Sequence, residues 1–165
     1  MAAAVVATVS ESPGLFSVHN EPVWRDRANF IVNARLPEPG RFEQLWCRQV
    51  AEDEFEVCCI PFFLYDVALG DTVQTRAVDG RRYVLSRVVA RSGRFVFRVH
   101  FERSMLRNRE VVTDRLAEMG ALLEWSSSSL LAVDAQDVGH AQQIADYLFE
   151  QEGAGRLVYE TGKSA

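Results

Sequence analysis

The stretch that decides the fold is Ile60-Pro-Phe-Phe-Leu-Tyr-Asp-Val-Ala-Leu-Gly-Asp71, an apolar and aromatic run that closes on Gly-Asp. Two arginine-rich strands follow it and flank Asp79-Gly80, a dipeptide typical of a type I′ hairpin turn. Ser92-Gly93 then leads into residues 94–102, where apolar and polar side chains alternate with the period of a strand. The pattern predicts a small β-rich module with one long loop, and it names no reaction.

Short strands are predicted on both sides of this loop. Six segments have strand-like composition and are bounded by turn residues: 28–36, 42–50, 55–61, 72–78, 82–90 and 94–102. This number and spacing predict a small, bent, SH3-like β-barrel or roll over residues 26–103. Residues 1–25 have no sustained periodicity, and we expect them to form an N-terminal tail.

The hydrophobic period changes after Arg103. Residues 108–119 and 137–152 have apolar stripes of helical spacing, and three short strands are predicted at 122–125, 130–134 and 156–161. Counted from Phe95, the order is β-α-β-β-α-β, which is the ferredoxin-like pattern. We therefore predict an α+β protein whose second lobe, residues 94–165, shares the 94–102 strand with the first.

The size of the chain is that of one domain, or of two small domains that share an interface. The chain has 165 residues, of which 48% are hydrophobic, enough for a substantial core. No apolar stretch approaches the ~20 residues that span a bilayer, and the first residues lack the positive region of a secretory signal. The three cysteines fall in apolar strands and are expected to be reduced, so we expect a cytoplasmic protein without membrane contact.

Charge is distributed unevenly along the chain. The net charge is −5, and all of this excess falls in residues 105–165. The stretch from Arg76 to Arg109, which extends slightly beyond the neutral remainder, contains ten arginines against two acidic residues. This basic stretch is the part of the sequence most suited to contact a charged partner.

The block from Leu45-Trp46, through the loop and Gly70-Asp-Thr-Val73, to Arg91-Ser-Gly-Arg94 resembles the bacterial family catalogued as domain of unknown function 4265. The resemblance extends over roughly residues 28–161. Since that family has no established activity, the resemblance implies the architecture and adds no function.

The sequence gives little support for chemistry. The three histidines lie in separate elements without metal-ligand spacing, and neither a Gly-x-Ser-x-Gly elbow nor a phosphate-binding glycine loop is present. Asp66 and Asp71 could act as paired carboxylates, but Asp71 is more readily explained as an acceptor for the amides of its own turn. We assign no catalytic residue, no metal and no cofactor.

A binding surface is predicted where the loop meets the Arg-Ser-Gly-Arg turn. Gly93 could expose backbone amides to an anion between the flanking guanidinium groups. Arg98 shares a strand face with His100 and Glu102, so it either faces a partner or pairs with Glu102 across an open sheet. The candidate binding residues are Phe62, Phe63, Tyr65, Asp66, Asp71, Arg91, Ser92, Gly93, Arg94, Arg98 and His100.

These features favour a non-enzymatic binding or accessory protein whose partner is another protein, in a specific form an immunity- or antitoxin-like protein. The alternative is a small-molecule-binding regulator or small hydrolase, with a pocket between the lobes lined by Tyr65, Asp66, Arg98 and His100. Single-stranded RNA binding is less favoured because the net charge is −5. A homo-oligomer is compatible with the sequence.

Overall fold

A computed structural model describes residues 15–164. Within this range the strands are β1 Phe16–Ser17, β2 Phe30–Arg35, β3 Phe42–Gln49, β4 Glu54–Val57, β5 Thr72–Val78, β6 Arg81–Ala90, β7 Phe95–His100, β8 Leu122–Trp125, β9 Leu130–Ala135 and β10 Val158–Thr161. The helices are α1 Arg109–Glu118 and α2 Val138–Gly153, with short 3₁₀ helices at Arg25–Arg27 and Arg103–Asn108. The predicted α+β class is confirmed.

The first sheet contains β1 to β6 in the order β1-β3-β2-β6-β5-β4. Strand β4 also pairs with β3, so hydrogen-bonded pairs lead from β3 through β2, β6, β5 and β4 back to β3. Only β1–β3 and β2–β6 are parallel. Alternate side chains of these strands form a buried apolar cluster that includes Val32, Leu45, Phe55 and Val73.

The β5–β6 hairpin has the predicted turn. Asp79 and Gly80 have φ angles of 49° and 78°, both positive as a type I′ turn requires. Glycine adopts this conformation without a steric penalty, and aspartate tolerates it better than most side chains. The Asp-Gly pair therefore sets the register in which β5 and β6 begin to pair.

The second sheet has the order β10-β7-β9-β8, with every neighbouring pair antiparallel. Side chains of β7 and β9 pack with those of α1 and α2 in one core that includes Phe97, Leu116, Leu131 and Ile144. Helix α2 begins where the Asp137 carboxylate accepts a hydrogen bond from the backbone N–H of His140 at 2.8 Å. Neither helix in residues 15–164 is long and apolar enough to cross a membrane.

The predicted sharing of the 94–102 strand between the lobes is wrong. In the described part of the chain β7 pairs with β9 and β10, both in the second sheet, and with no strand of the first. The Ser92-Gly93 turn, where Gly93 has a φ of 85°, accordingly joins two sheets instead of closing a hairpin. Periodicity identified the strand correctly, but it does not specify which neighbour a strand pairs with.

The N-terminal segment corrects a second expectation. Strand β1 pairs with β3, and His19 is 3% exposed, so this segment is attached to the folded body and does not form a tail. Val23 and Trp24 pack on a third apolar cluster, whose members come from the 60s loop and the second sheet. The rest of the predicted tail, residues 1–14, lies outside the described residues.

Candidate binding surface

The loop that follows β4 lies where the two sheets meet, and its aromatic residues separate into buried and exposed. Phe62 is buried and stacks on the His19 ring at 4.0 Å. Phe63 and Tyr65 are 41% and 37% exposed. An apolar run of this length cannot expose every side chain without a large hydration cost, and its first aromatic ring completes the core.

The backbone of this loop is held by the buried carboxylate of Glu43. Its oxygens accept hydrogen bonds from the N–H groups of Phe62 at 2.6 Å, Phe63 at 3.0 Å and Leu64 at 2.9 Å. Glu43 lies on β3 in phase with the core residues Leu45 and Cys47. Its carboxylate therefore points inward and takes three amide donors in place of water.

His19 joins this carboxylate to a second one. Its Nε2 lies 2.9 Å from Glu43 Oε1, and its Nδ1 lies 2.8 Å from Glu124 Oε1. Glu124 belongs to β8, in the other sheet, and its Oε2 accepts a hydrogen bond from Ile60 N–H at 2.5 Å. Since both ring nitrogens face carboxylates, the ring donates on both sides as an imidazolium that links the two sheets.

The ionisation of this buried network follows from its contacts. Burial opposes the charge on His19, but the hydrogen bonds to the Glu124 and Glu43 carboxylates outweigh it and raise the pKa of His19 well above its ordinary value of 6.5. The pKa of Glu43 is lowered, because the hydrogen bond and charge of His19 outweigh burial. Burial raises the pKa of the Cys59 thiol to about 12, so this thiol stays protonated at neutral pH.

None of the three residues of this network was predicted from the sequence as a site residue. Glu43 had a usable signal, because it occupies a core-facing position in an alternating strand. Glu124 had a weaker one, as a single acidic residue in the apolar strand β8. His19 had none, since no periodic pattern surrounds it.

The second half of the loop is held by Asp71, which is buried and whose carboxylate accepts hydrogen bonds from Ala68 N–H at 2.9 Å and Ser92 N–H at 2.8 Å. Ser92 Oγ donates to the Leu69 carbonyl at 2.7 Å. Glycine suits position 70 for two reasons. Its φ angle is 81°, and a Cβ atom at this position would lie 3.0 Å from the Cβ atom of Ser92. Asp71 and Ser92 therefore shape the loop, Asp71 from a buried position and Ser92 from an exposed one.

A groove of about 600 Å³ adjoins this half of the loop, and we call it the charged groove. Phe95 and Phe97 contribute apolar surface, while Arg91, Arg94 and Lys163 contribute cations. Arg91 donates to the Asp66 carbonyl and lies 3.4 Å from the Asp71 carboxylate. Gly93 lines the same groove.

Carboxylates balance much of the positive charge of this groove. Arg94 Nη1 lies 2.5 Å from Asp134 Oδ2, and its guanidinium group lies 5.1 Å from the Trp24 ring. Burial nevertheless raises the pKa of Asp134 to about 6, a shift that Arg94 reduces without cancelling. The exposed Asp66 has a lowered pKa, because its carboxylate accepts hydrogen bonds from the Ser164 hydroxyl and N–H.

A second cavity of about 320 Å³ opens beside Phe63 and Tyr65, and we call it the aromatic cleft. Arg98, on β7, lies at this cleft and is 4% exposed. Its Nη2 donates to the Leu64 carbonyl, and its guanidinium carbon lies 4.6 Å from the Tyr65 ring. The predicted pairing of Arg98 with Glu102 is wrong, because the ion pair of Arg98 is with Glu160 at 3.5 Å. The predicted contact of Arg98 with a partner stays a prediction.

The four residues of the predicted inter-lobe pocket do not converge. Tyr65 and Arg98 line the aromatic cleft, Asp66 lines the charged groove, and the exposed His100 lines neither cavity. Of the predicted site residues, the structure brings four together at the aromatic cleft and five at the charged groove: Phe62, Phe63, Tyr65 and Arg98 at the first, and Asp66, Asp71, Arg91, Gly93 and Arg94 at the second.

Comparison with known proteins places the chain in a family. Residues 43–159 match the family model described as domain of unknown function, DUF4265. The chain belongs to this family. A hypothetical protein from Neisseria gonorrhoeae of known crystal structure is similar with a TM-score of 0.64 and 16% identity, over 81% of this chain and 93% of that one. At this identity the likeness concerns the fold alone, and no curated protein matches the chain.

The matched region of this DUF4265 protein includes most of the surface just described. Glu43, Glu124, the loop and Arg98 all lie within residues 43–159. His19 and Glu160 lie outside the match, so the imidazolium and one carboxylate of the cleft come from flanking segments.

Proposed function

We propose that this DUF4265 protein is a non-enzymatic binding protein that acts through protein–protein contact, with Phe63 and Tyr65 as its anchor side chains. The observation that carries the proposal is the attachment of their loop to Glu43, which accepts three consecutive backbone N–H groups. A loop held in this way loses little conformational entropy on binding. Half-exposed aromatic side chains beside arginine have the composition of binding hot spots.

The burial of the acid–base groups also favours binding over catalysis. His19, Glu43 and Glu124 form a hydrogen-bonded ionisable cluster, and all three are buried. A general acid or base must come within hydrogen-bond reach of a substrate atom. Groups enclosed between two sheets are better suited to fix a surface than to react at it.

The finer architecture belongs to the same proposal. We propose that the first sheet is a small closed SH3-like barrel, supported by the return of the pairing from β4 to β3. The second sheet, with its helices, is proposed to be ferredoxin-like, supported by the element order from β7 and the sheet order β10-β7-β9-β8. Three buried free thiols support a reducing, cytoplasmic location.

An immunity- or antitoxin-like role is the specific form of this proposal. It is supported by the small, acidic body with a net charge of −5 and by a rigid exposed loop that could cover a toxin. In this role the protein would inactivate its partner by occupying its surface, without chemistry of its own.

Site-specific photocrosslinking in the organism that encodes the protein tests the proposal. A photoreactive phenylalanine analogue replaces Phe63 in one variant and Phe149, a 71%-exposed residue of α2, in the control. We expect one discrete crosslinked protein at position 63 and none of the same mass at position 149. The partner, once purified, should bind the wild type with 1:1 stoichiometry in calorimetry.

The double variant Phe63→Ala/Tyr65→Ala completes the test. Loss of hot-spot side chains should weaken partner binding by 2 kcal/mol or more, or roughly thirtyfold. Arg103→Ala/Arg107→Ala, on the exposed 3₁₀ helix, is the matched control and should bind as the wild type does. Equal crosslinking at both positions, or equal affinity of the two double variants, would refute the proposal.

A small-molecule-binding regulator is the second candidate, and one observation favours it. The aromatic cleft lies between the β2–β3 turn and strands of the second sheet and has a buried guanidinium group. Single-stranded RNA binding remains a weaker proposal, because ten arginines in one stretch are set against a net charge of −5.

A further inference from the structure

We propose that the aromatic cleft binds a carboxylate group carried on an apolar moiety, with Arg98 as the residue that recognises the carboxylate. The inference deepens the proposed function, because Phe63 and Tyr65 border the same cleft. It does not require a protein partner, since a free organic acid and the end of a peptide chain present the same chemistry.

The guanidinium group of Arg98 has hydrogen-bond donors that the protein leaves without an acceptor. A guanidinium group has five N–H donors, and a buried donor without an acceptor is costly. Nη2 of Arg98 has the Leu64 carbonyl, whereas Nε and Nη1 are buried without a hydrogen-bond partner among residues 15–164. Nε and Nη1 lie on different edges of the guanidinium group, and each shares its edge with Nη2. One of them, together with the second N–H of Nη2, can therefore bind both oxygens of one carboxylate.

Glu160 shows where an anion is attracted and why this residue does not satisfy the site. One of its carboxylate oxygens lies 3.5 Å from Arg98 Nη1, close enough for an ion pair but without a hydrogen bond there. The Tyr65 hydroxyl holds the Glu160 carboxylate at 3.0 Å and 3.1 Å, and the Glu160 side chain is 53% exposed. A ligand carboxylate could approach Arg98 more closely than Glu160 does. It would then displace the Glu160 side chain, which faces solvent.

The walls of the cleft account for the apolar part of the ligand. Pro37, Phe63 and Leu130 line it with apolar surface, and Tyr65 adds an aromatic ring. Its volume of about 320 Å³ lies at the lower end of the range for ligand pockets, so the preferred group is small, such as one aromatic ring. Arg41, the other cation at the cleft, is already paired with Glu38 at 3.0 Å.

Nuclear magnetic resonance of the full-length wild-type protein tests this inference. Phenylacetate is titrated into ¹⁵N-labelled protein while the Arg98 Nε–H signal is followed, and phenylacetamide serves as the neutral control. We expect a saturable downfield shift of Arg98 Nε–H and shifts of the Phe63 and Tyr65 amides with the acid alone. A peptide ending in phenylalanine, with a free or an amidated carboxyl terminus, distinguishes a chain end from a free acid as the source.

Two variants change the affinity in opposite directions. Arg98→Lys removes the two-point contact and should weaken phenylacetate binding by about tenfold or more. Glu160→Gln removes the competing charge and should strengthen it several-fold, while Arg103→Gln, on the exposed 3₁₀ helix, should leave it unchanged. Because Arg98 is buried, the Glu160 variant and the wild-type signal keep the test decisive even where Arg98→Lys does not fold.

Two results would overturn the inference: no shift of Arg98 Nε–H up to the solubility limit of phenylacetate and of the free-carboxyl peptide, or equal shifts with the neutral analogues. Neither would refute the proposed function, whose readout is the discrete crosslink at Phe63. Conversely, phenylacetate binding without any crosslinked partner would support the carboxylate site and refute the protein–protein proposal.

Discussion

The two halves of the loop between β4 and β5 are held by different means. Residues 60–64 donate backbone N–H groups to Glu43 and Glu124, which are buried on either side of the His19 imidazolium. Residues 66–71 are held nearer the surface, by Asp71 and by the exposed contacts of Asp66 with Arg91 and Ser164. The first half is fixed by charges that water does not reach, and the second by a mixture of buried and exposed contacts.

The difference predicts where substitutions are costly. Breaking a buried ion pair leaves a charge without a partner, at about 3–5 kcal/mol, whereas exposed pairs contribute about 0–1 kcal/mol. The half of the loop that presents Phe63 should therefore keep its shape when exposed charges around the charged groove are removed.

Glu43→Ala should give the largest loss of stability. It leaves three amide donors of residues 62–64 without their acceptor and the His19 imidazolium with only Glu124. The free energy of unfolding should fall by about 3–5 kcal/mol. Urea unfolding at neutral pH measures it, with Glu38→Ala, in the exposed β2–β3 turn, as the control that should change little.

A loss for Glu43→Ala no larger than that of Glu38→Ala would mean that the loop does not depend on the buried carboxylate. The proposed pre-organisation of Phe63 and Tyr65 would then lose its support.

His19→Gln should remove a specific pH dependence. The pKa of His19, raised well above its ordinary 6.5, means that its stabilisation is fully present below about pH 6.5 and is lost as the pH rises toward the raised pKa. The wild type should therefore lose stability from neutral pH to about pH 7.5, below the range in which the thiols of the unfolded chain titrate. Urea unfolding across this range should show a shallower slope for His19→Gln. Identical slopes would show that His19 is not held as an imidazolium.

The strands and helices could be predicted because each has a local signal. The Asp79-Gly80 turn, the alternation of β7 and the helical stripe of α2 are each contained in a short window of sequence. The sheet to which β7 belongs is not local information. It depends on α1 and α2 covering one face of β7, which no residue of the strand itself specifies.

The candidate site was predictable in part for the same reason. The sequence indicated the loop, the Arg91–Arg94 turn and Arg98 as the relevant segments, because apolar loops and clustered arginines are visible by composition. It did not indicate that His19, 105 residues from Glu124, completes the support of the loop. It also placed Phe62 beside Phe63 on the surface, although adjacent residues here have opposite burial.

Asp71→Asn should destabilise the protein by an intermediate amount. The carboxylate of Asp71 is buried and accepts two backbone N–H groups, and charge-assisted bonds of this kind contribute about 1.5–3 kcal/mol each. An amide keeps one acceptor, so we expect a loss of about 2 kcal/mol in urea unfolding. Asp66→Asn is the matched control, since asparagine also tolerates the φ of 64° at this exposed position, and it should unfold as the wild type does. Equal losses for both variants would contradict the assigned difference between buried and exposed contacts.

The smallest effect concerns Asp134, which lies beneath the turn that fixes the second half of the loop. Burial raises its pKa to about 6, so above that pH its charged form opposes folding despite the ion pair with Arg94. Its contribution therefore becomes more favourable as the pH falls through 6, the reverse of the usual behaviour of a paired carboxylate. The ¹³C carboxyl signal of Asp134 should titrate with a midpoint near 6, and Asp134→Asn should remove a small gain in stability between neutral pH and about pH 5. A midpoint below the ordinary value for aspartate would instead show that Arg94 dominates, and that the turn is as strongly tied by charge as the His19 end of the loop.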